Sequence, residues 1–335
     1  MFTPKTIVIE EKALDYHKGK ELLKRFRDEG NNPIIVKGNR YPFKRDQNAR
    51  DKFMENKQTL IVGVRKKIPF QSCKPSAHYQ LPLISGCSGM CEYCYLNTQL
   101  GKRPYTKIYV NTDEILDQAF EYVEERKPSI TIFEGAATSD PLPVETYSGA
   151  MAKAIETFGA CEYTRFRFVS KFGDVDTLLN LNHNNHTTIR FSINTDKVIR
   201  EFEHGTGLLK DRIEAARKVR EAGYLLGFII APVFIYDGWK EDYLKLMDKI
   251  KDQVGREGIK FEVISHRFTG RAKERILEVY PNSKLPMNEE ERKYKYGQFG
   301  YGKFVYPKEE LNEMKEFFSS NLGMKFGEES INYII

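Results

Sequence analysis

The chain after residue 80 alternates short apolar runs with segments whose apolar residues recur every three or four positions. Runs of the first kind are typical of buried strands, and segments of the second kind are typical of amphipathic helices. The predicted strands are residues 81–84, 129–134, 165–170, 188–194, 225–232 and 260–266. The predicted helices are residues 113–126, 144–158, 210–222, 239–254 and 271–280. Strands that alternate with helices predict βα units and a parallel sheet.

Six strands are too few to close an eight-stranded barrel, so we predict the α/β fold class with an open, (β/α)6 partial TIM barrel. Right-handed crossovers place the carboxyl ends of the strands on one rim. The charged stretch 1–79 has strand-like pieces at 6–10 and 33–37 around a helical segment at 12–27. We therefore predict a small N-terminal α/β extension at 1–79, the barrel at 80–283, and a C-terminal β-hairpin region with a tail at 284–335.

Composition is that of an ordinary globular protein, with 40% hydrophobic and 30% charged residues in a chain of 335. It contains no apolar run long enough to span a bilayer and no signal-peptide pattern, so we expect no membrane partner and a cytoplasmic location. Five cysteines, three of them clustered, indicate a reducing compartment rather than a disulfide framework. The net charge of +6 is a weak indication of a polyanionic partner.

Three cysteines, Cys87, Cys91 and Cys94, follow the predicted first strand with the spacing C-x₃-C-x₂-C, and the next cysteine is Cys161. A ferredoxin-type [4Fe–4S] cluster and a structural zinc ion each need four protein ligands. Three thiolates leave one iron open, and the amino and carboxylate groups of S-adenosylmethionine (AdoMet) can chelate it. With Tyr93 before the third cysteine, the loop resembles the signature of the radical AdoMet superfamily, and Tyr93 is a candidate catalytic and AdoMet-binding residue. A zinc site completed by a distant His78 or Cys73 is the alternative.

Residues at the ends of the later strands suit the binding of AdoMet in this superfamily. A Gly-rich segment leads to Ser139 and Asp140, and Lys171 at the end of the third strand is placed for the methionine carboxylate. The remaining candidates are Ser192 and Asn194, where the ribose should lie, and Ala231, in an apolar segment of the type that packs against adenine. Each of these residues, taken alone, is also compatible with ordinary sheet core or surface.

Several phrases together resemble the spore photoproduct lyase family, over roughly residues 50–310. They are residues 74–77, 87–98, 104–105, 109–111, 138–140, 190–194, 202–203, 238–239 and 266–269. The resemblance implies repair of the thymine dimer 5-thyminyl-5,6-dihydrothymine by a 5′-deoxyadenosyl radical. It implies that Cys87, Cys91 and Cys94 hold the cluster and that the strand-end residues bind AdoMet. Tyr95 matches a family tyrosine that relays the radical, and its alternative role is a packing aromatic.

The chain departs from Bacillus-type members of that family at the hydrogen donor. Those members carry a cysteine directly before the Thr-Ser-Asp phrase, where this chain has Ala137, and a methyl group cannot donate hydrogen as a thiol does. Cys73 stands where those members usually have serine. We therefore expect Cys73 to donate the hydrogen atom, with Tyr95 relaying the radical onward. An engineered position, an inactive chain and an inert Cys73 thiol are the alternatives.

Residues 292–308 interleave basic and aromatic side chains with glycines and predict a hairpin that contacts damaged duplex DNA. A stacked dimer must be extruded to reach a barrel, and Gln298, Phe299 and Tyr301 are the candidates to fill the gap. The family usually has Arg-Tyr at the first two of these positions. The basic residues Arg267, Arg271 and Lys273 are expected to meet phosphates. The alternative is a surface hairpin with core aromatics.

The sequence therefore predicts a radical AdoMet carbon–carbon lyase that acts on UV-damaged double-stranded DNA in the spore core. We expect a monomer that receives its electron from a flavodoxin- or ferredoxin-type donor. One alternative is a radical AdoMet enzyme acting on another nucleic-acid base. The other is a non-catalytic, metal-bearing DNA-binding protein.

Overall fold

A computed structural model describes residues 2–38, 40–43, 46–101, 103–296 and 302–335. The chain divides into two compact units. The first comprises Met1–Ser88, Gln99–Ser170 and Asp174–Thr188, and the second comprises Gly89–Thr98, Lys171–Gly173 and Ile189–Ile335. No helix in the described part of the chain is both long and apolar enough to cross a membrane.

The N-terminal part of the first unit forms a five-stranded sheet. Its strands, in spatial order, are Ile34–Val36, Thr6–Glu10, Thr59–Gly63, Thr106–Tyr109 and Ile84–Ser85, of which the first four run parallel and the last is antiparallel. The two predicted strands are present, but two inner strands of this sheet were not predicted. The N-terminal region is thus a five-stranded, mainly parallel sheet accompanied by helices.

Four further strands of the first unit begin the predicted parallel series. They are Ser72–Cys73, Ala77–Gln80, Thr131–Glu134 and Thr164–Ser170, and the last three pair in parallel. The prediction of a first strand at 81–84 was wrong, because the pairing segment lies just upstream and the chain turns where Leu83 donates to the Leu81 carbonyl. Pro82 within that segment has no N–H to offer a ladder.

The helices and 3₁₀ turns of the first unit lie mostly between these strands. The helices are His17–Asp28, Ala49–Lys57, Thr112–Arg126, Glu145–Ser148 and Ala150–Gly159, and the 3₁₀ turns are Glu11–Asp15, Leu142–Val144 and Asp176–Leu178. The single helix predicted at 144–158 is divided at Gly149, which adopts φ 62°. Such a left-handed residue ends one helix and starts another.

The second unit contains the rest of the strand series. Its strands, in spatial order, are Thr187–Ile193, Leu225–Val233, Ile259–Ser265 and Ile331–Ile334, and the last three pair in parallel. Phe228, Ile230, Phe261 and Val263 are fully buried in this sheet, as the apolar runs predict. The C-terminal strand was not predicted, and it pairs with Ile259–Ser265.

Helices cover the strands of the second unit, and two antiparallel ribbons complete it. The helices are Leu96–Gln99, Asp196–Phe202, Leu209–Glu221, Trp239–Gln253, Gly270–Val279 and Lys308–Phe326, and a 3₁₀ turn lies at Glu328–Ser330. One ribbon pairs Met90–Cys91 with Glu203–His204, and the other pairs Lys293–Tyr296 with Gly302–Val305. The second ribbon confirms the predicted C-terminal hairpin.

Candidate active site

The first cysteine of the loop is placed by the glycine before it. Gly86 adopts φ 81°, and a Cβ at this position would lie 2.1 Å from the carbonyl oxygen of Tyr105. Its N–H donates to the Thr138 carbonyl at 3.0 Å, and its own carbonyl accepts from the Asp140 N–H at 3.2 Å. Only glycine fits this turn. The loop therefore begins attached to the segment that follows strand Thr131–Glu134.

The middle of the cysteine loop is held by a buried carboxylate. Glu92 is 7% exposed, its side chain lies 2.8 Å from His204 Nε2, and it also accepts from the Ser283 hydroxyl. Its N–H donates to the Phe202 carbonyl, and the Tyr280 hydroxyl donates to the Met90 carbonyl at 2.8 Å. These bonds fix the backbone on either side of Cys91, so residues distant in sequence set the conformation of this part of the loop.

The donor set of the loop fits a three-thiolate iron–sulfur site. Cys91 is buried, and Cys87 and Cys94 are half-buried. No group of three His, Cys, Asp or Glu side chains in the described part of the chain surrounds a common metal position. His78, the alternative zinc ligand, accepts the Ile132 N–H on its Nδ1 at 2.9 Å, and burial lowers its pKa. The cluster therefore stays a prediction from the three cysteines of the loop and their spacing.

A buried network in the second unit connects the residue before the third cysteine to two cations. The Tyr93 hydroxyl donates to Glu203, and Lys171 Nζ lies 2.9 Å from the same carboxylate oxygen and 3.0 Å from the Tyr93 hydroxyl. The second oxygen of Glu203 lies 2.6 Å from Arg212. The predicted AdoMet-binding residues Tyr93 and Lys171 are thus brought together, and Glu203 joins them.

The charge of Glu203 is maintained by its neighbours. Burial alone would raise its pKa, but Lys171 and Arg212 outweigh burial and, with the Tyr93 hydroxyl, lower the pKa to about 2. Burial and the negative charge of Glu203 raise the pKa of Tyr93 well above its ordinary value. The network therefore keeps an ionised Glu203 in contact with a neutral Tyr93 phenol at neutral pH.

The segment after strand Thr131–Glu134 provides a polar group suited to a ligand. The Ser139 hydroxyl is buried and has no hydrogen-bond partner within the described residues. Its neighbour Asp140 accepts from the Ser170 hydroxyl at 2.6 Å. Because buried polar groups are normally paired, an unsatisfied hydroxyl beside the cysteine loop fits a site for a polar cofactor.

The other predicted AdoMet-binding residues belong to the second unit. Ser192 is 8% exposed, and its carbonyl accepts from Arg212 at 2.9 Å. Asn194 is fully buried, and its amide contacts the Tyr243 hydroxyl, the Thr195 N–H and the Pro232 carbonyl. These contacts hold the Asn194 side chain between the ends of two strands. They use its amide oxygen and one of its two amide N–H groups.

Ala231 lies where the strand leaves its regular pairing. The register of strand Leu225–Val233 against Ile259–Ser265 shifts between Ile230 and Val233. Backbone groups in such a shift no longer pair in the regular ladder. Ala231 is half-buried there and has only a methyl side chain.

The proposed hydrogen donor lies on a short strand that is tied to the Gly-rich segment. Cys73 is half-buried and pairs with Ala77 across a tight hairpin. In that hairpin, the Ser76 hydroxyl lies 3.3 Å from Glu134, and its carbonyl accepts from Arg167 at 3.0 Å. Glu134 precedes the segment that contains half-buried Ala137. Cys73 and Ala137, the two positions considered for the donor, thus lie on segments that are joined through Glu134 in the first unit.

Tyr95, in the second unit, has a side chain that is 54% exposed. It lies just before the short helix Leu96–Gln99, and its carbonyl accepts from the Thr98 N–H at 3.0 Å. The Tyr95 phenol is thus exposed directly after the third cysteine.

Three predicted phosphate contacts lie at the start of helix Gly270–Val279. Arg267 and Arg271 are exposed, and Lys273 is half-buried with its ammonium 2.8 Å from Glu289. The Thr269 side chain accepts from the Ala272 N–H and caps the helix. Arg271 in the first turn combines its own charge with a helix N-terminus, which favours anions.

The hairpin of Lys293–Tyr296 and Gly302–Val305 adjoins the segment before helix Gly270–Val279. Phe268 and Phe304 exchange backbone hydrogen bonds, and their rings stack at 5.1 Å. The register places Lys295 opposite Lys303, so two cationic residues face each other on the ribbon. Tyr296 is 69% exposed beside them. The predicted wedge residues Gln298, Phe299 and Tyr301 lie outside the described residues.

Sequence reasoning assigned no role to several residues that hold this site. Glu92 and Glu203 lie within the family-like phrases 87–98 and 202–203 but were given no role, and Arg212 lies in none of those phrases. All three are buried charged residues inside helical or loop patterns. In the sequence, each of them is only a charged residue on an otherwise apolar face. Such a residue is weak evidence of a functional role until the fold is known.

Comparison with known proteins gives the chain a family. The family model described as spore photoproduct lyase matches residues 2–335. A spore photoproduct lyase from Clostridium acetobutylicum is 54% identical over 329 residues, covering 98% of both chains. A spore photoproduct lyase from Bacillus subtilis is 44% identical and covers 99% of this chain and 98% of that relative.

Solved structures give the same result for the fold. A spore photoproduct lyase complexed with dinucleoside spore photoproduct superimposes with a TM-score of 0.95 at 41% identity, covering 100% of this chain and 99% of that one. A double mutant with bound AdoMet and the same dinucleoside gives 0.94 at 42% identity, with the same coverage. The predicted α/β partial-barrel fold class and the resemblance stated from sequence are confirmed, and the chain belongs to the spore photoproduct lyase family.

Proposed function

We propose that this chain is a DNA repair lyase that returns the spore photoproduct, 5-thyminyl-5,6-dihydrothymine, to two thymines. The observation that carries the proposal is membership of the family across residues 2–335. Relatives with the same fold bind dinucleoside spore photoproduct and AdoMet.

Cys87, Cys91 and Cys94 would hold a [4Fe–4S] cluster, and the strand-end residues would bind AdoMet. When bound, these groups supply a 5′-deoxyadenosyl radical that removes one hydrogen atom from the substrate. The protein must orient AdoMet and exclude competing hydrogen donors. The buried, unsatisfied hydroxyl of Ser139 supports this assignment.

Lys171 is the residue that we assign to the methionine carboxylate. Its ammonium is held between Glu203 and Tyr93 at 2.9 and 3.0 Å, so its position is fixed before a ligand arrives. A preorganised cation binds a carboxylate with less loss of side-chain freedom. Tyr93 would then contact AdoMet next to Cys94.

Cys73 is the residue that we assign to the return of hydrogen. Its S–H hydrogen atom would pass to the methylene radical of the separated thymine. Tyr95 would return a hydrogen atom to the sulfur radical and would take one back from the 5′-deoxyadenosine formed earlier, so that the radical is relayed onward and both side chains are restored. One solved relative carries a cysteine-to-alanine and a serine-to-cysteine exchange. This chain differs from Bacillus-type members in the same two ways, because it has Ala137 in place of their cysteine and Cys73 in place of their serine. The agreement in residue type supports the assignment.

The DNA partner is proposed from the surface around the hairpin. A dimer in duplex DNA has to leave the stack before it can react, at a cost of a few kcal/mol. Arg267 and Arg271 would hold the phosphates, with the facing pair Lys295 and Lys303 beside them. These two cations would add to the attraction of this surface for a polyanion.

The test is anaerobic reconstitution with iron and sulfide, followed by dithionite reduction with AdoMet and a thymine dinucleotide lesion. We expect a brown protein that cleaves AdoMet and forms thymine. Cleavage of AdoMet without repair would favour a radical enzyme for another base. Binding of DNA without AdoMet cleavage would favour a non-catalytic metal-bearing protein. Comparing a flavodoxin with a ferredoxin as reductant would identify the class of electron donor.

A further inference from the structure

A buried lysine outside the AdoMet residues contacts the cysteine loop. Lys57 is the last residue of helix Ala49–Lys57 and is 1% exposed. Its ammonium donates to the carbonyl oxygen of Cys87 at 2.8 Å. It also lies 5.4 Å from the centre of the Phe53 ring, over its face.

Burial of this charge is not explained by the protein groups around it. Moving an ammonium out of water is strongly unfavourable unless an opposite charge compensates it. Within the described residues, no carboxylate lies within ion-pair distance of Lys57, whereas the comparably buried Arg212 pairs with Glu203. The end of its own helix, one carbonyl and one ring are weaker partners than a carboxylate.

We propose that Lys57 is the counter-charge of the iron–sulfur cluster, an inference that rests on the proposed function. Three thiolates exceed the charge of an oxidised [4Fe–4S] core by one, and reduction adds another negative charge. An ammonium attached to the first ligand would therefore stabilise the reduced cluster more than the oxidised one. Net charge and hydrogen bonding near a cluster are among the factors that set its reduction potential.

Lys57 acts in this account as a positioning and electrostatic residue, because it contacts a ligand backbone and no reacting atom. Its hydrogen bond also fixes the carbonyl of Cys87, next to the turn at Gly86. The two effects have different consequences. Loss of charge changes the potential, whereas loss of the bond changes the amount of cluster that the protein retains.

The experiment compares Lys57→Met, Lys57→Arg and wild type, with Arg50→Met as a control because Arg50 is an exposed cation on the same helix. The midpoint potential of the reconstituted cluster is measured by redox titration followed by EPR, with iron and sulfide content determined on the same samples. We expect a more negative potential in Lys57→Met, a smaller shift in Lys57→Arg, and no shift in the control. A fully loaded Lys57→Met protein with the wild-type potential would overturn the proposal.

Denaturant unfolding of the metal-free proteins keeps the proposal testable if Lys57→Met loads poorly. Methionine has a similar length and no charge to bury, so metal-free Lys57→Met should be at least as stable as metal-free wild type. A large loss of stability in the metal-free variant would make Lys57 a structural residue and overturn the proposal. Absence of a [4Fe–4S] signal in wild type would instead contradict the proposed function.

Discussion

The ammonium of Lys171 lies 2.9 Å from the carboxylate of Glu203, whose side chain is completely buried. The same carboxylate is shared with Arg212 and with the Tyr93 hydroxyl. One acidic residue thus holds the cation proposed for the AdoMet carboxylate and the phenol beside the third cysteine. We infer that Glu203 positions both groups without touching the substrate.

Replacing Glu203 with glutamine should weaken AdoMet binding. The amide keeps the shape but loses the charge that holds Lys171, so we expect KM for AdoMet to rise roughly ten- to hundredfold. The value of kcat at saturating AdoMet should fall much less, and iron content should not change. Glu201→Gln is the control, because Glu201 is an exposed carboxylate on the neighbouring helix. A fall in kcat with an unchanged KM would exclude this role.

The same carboxylate should make stability depend on acid. Its pKa is lowered to about 2, so the favourable contribution is complete above the ordinary glutamate value and is lost as pH falls from there toward 2. The lowering of the Glu203 pKa corresponds to about 3 kcal/mol of folding free energy. Denaturant unfolding between pH 6 and roughly pH 3 should therefore show a steeper loss in wild type than in Glu203→Gln. Parallel curves would show that Glu203 is not held ionised by its neighbours.

Removal of a single loop cysteine should remove the cluster without unfolding the protein. We expect Cys91→Ala to lose most of its iron and all repair activity, because two thiolates cannot hold the cluster. Far-UV circular dichroism should be unchanged. Cys161→Ala, a half-buried cysteine outside the loop, should load normally. Full activity in well-purified Cys91→Ala would remove the basis of the cofactor assignment.

Cys73→Ala should separate AdoMet cleavage from repair. Cleavage depends on the cluster site and should persist, while repair stalls or yields products quenched by dithionite. A second variant, Cys73→Ser with Ala137→Cys, places the thiol at the position used by Bacillus-type members and should recover thymine formation. Product analysis by mass spectrometry distinguishes the outcomes. Clean wild-type turnover in Cys73→Ala would show that another group donates the hydrogen.

Arg271→Glu should weaken binding to duplex DNA and lower the slope of log affinity against log salt by about one, as expected for one lost phosphate contact. Repair of an isolated dinucleotide should change little and serves as the internal control. Binding can be followed by fluorescence anisotropy of a labelled duplex. Equal losses on both substrates would place Arg271 in the reaction pocket instead.

Sequence patterns predicted the parts of the fold in which one element has one clear period. Strand Leu225–Val233 was predicted within one residue because its interior is almost entirely apolar. The inner strands Thr59–Gly63 and Thr106–Tyr109, five and four residues long, were missed, and Thr6–Glu10, equally short, was predicted only as a strand-like piece. Short strands are hard to identify by period, and only their place in a sheet makes them strands.

The same limit applied to the candidate site. The cysteine loop is local, so its spacing carries its chemistry. Glu203 contacts Tyr93 across 110 residues of sequence, and no local pattern connects a carboxylate to a phenol at that separation. Buried charged residues are recognised from their partners, and their partners are known only once the chain is folded.

The attachment of the cysteine loop bears on when the proposed cluster can enter during synthesis. Glu92 is fixed by His204 and Ser283, 112 and 191 residues further along the chain, and Met90 is fixed by Tyr280, 190 residues further along. The thiols therefore leave the ribosome long before the residues that shape their loop. Contacts so distant in sequence form late. We expect the iron–sulfur delivery machinery to meet a completed chain rather than a nascent one.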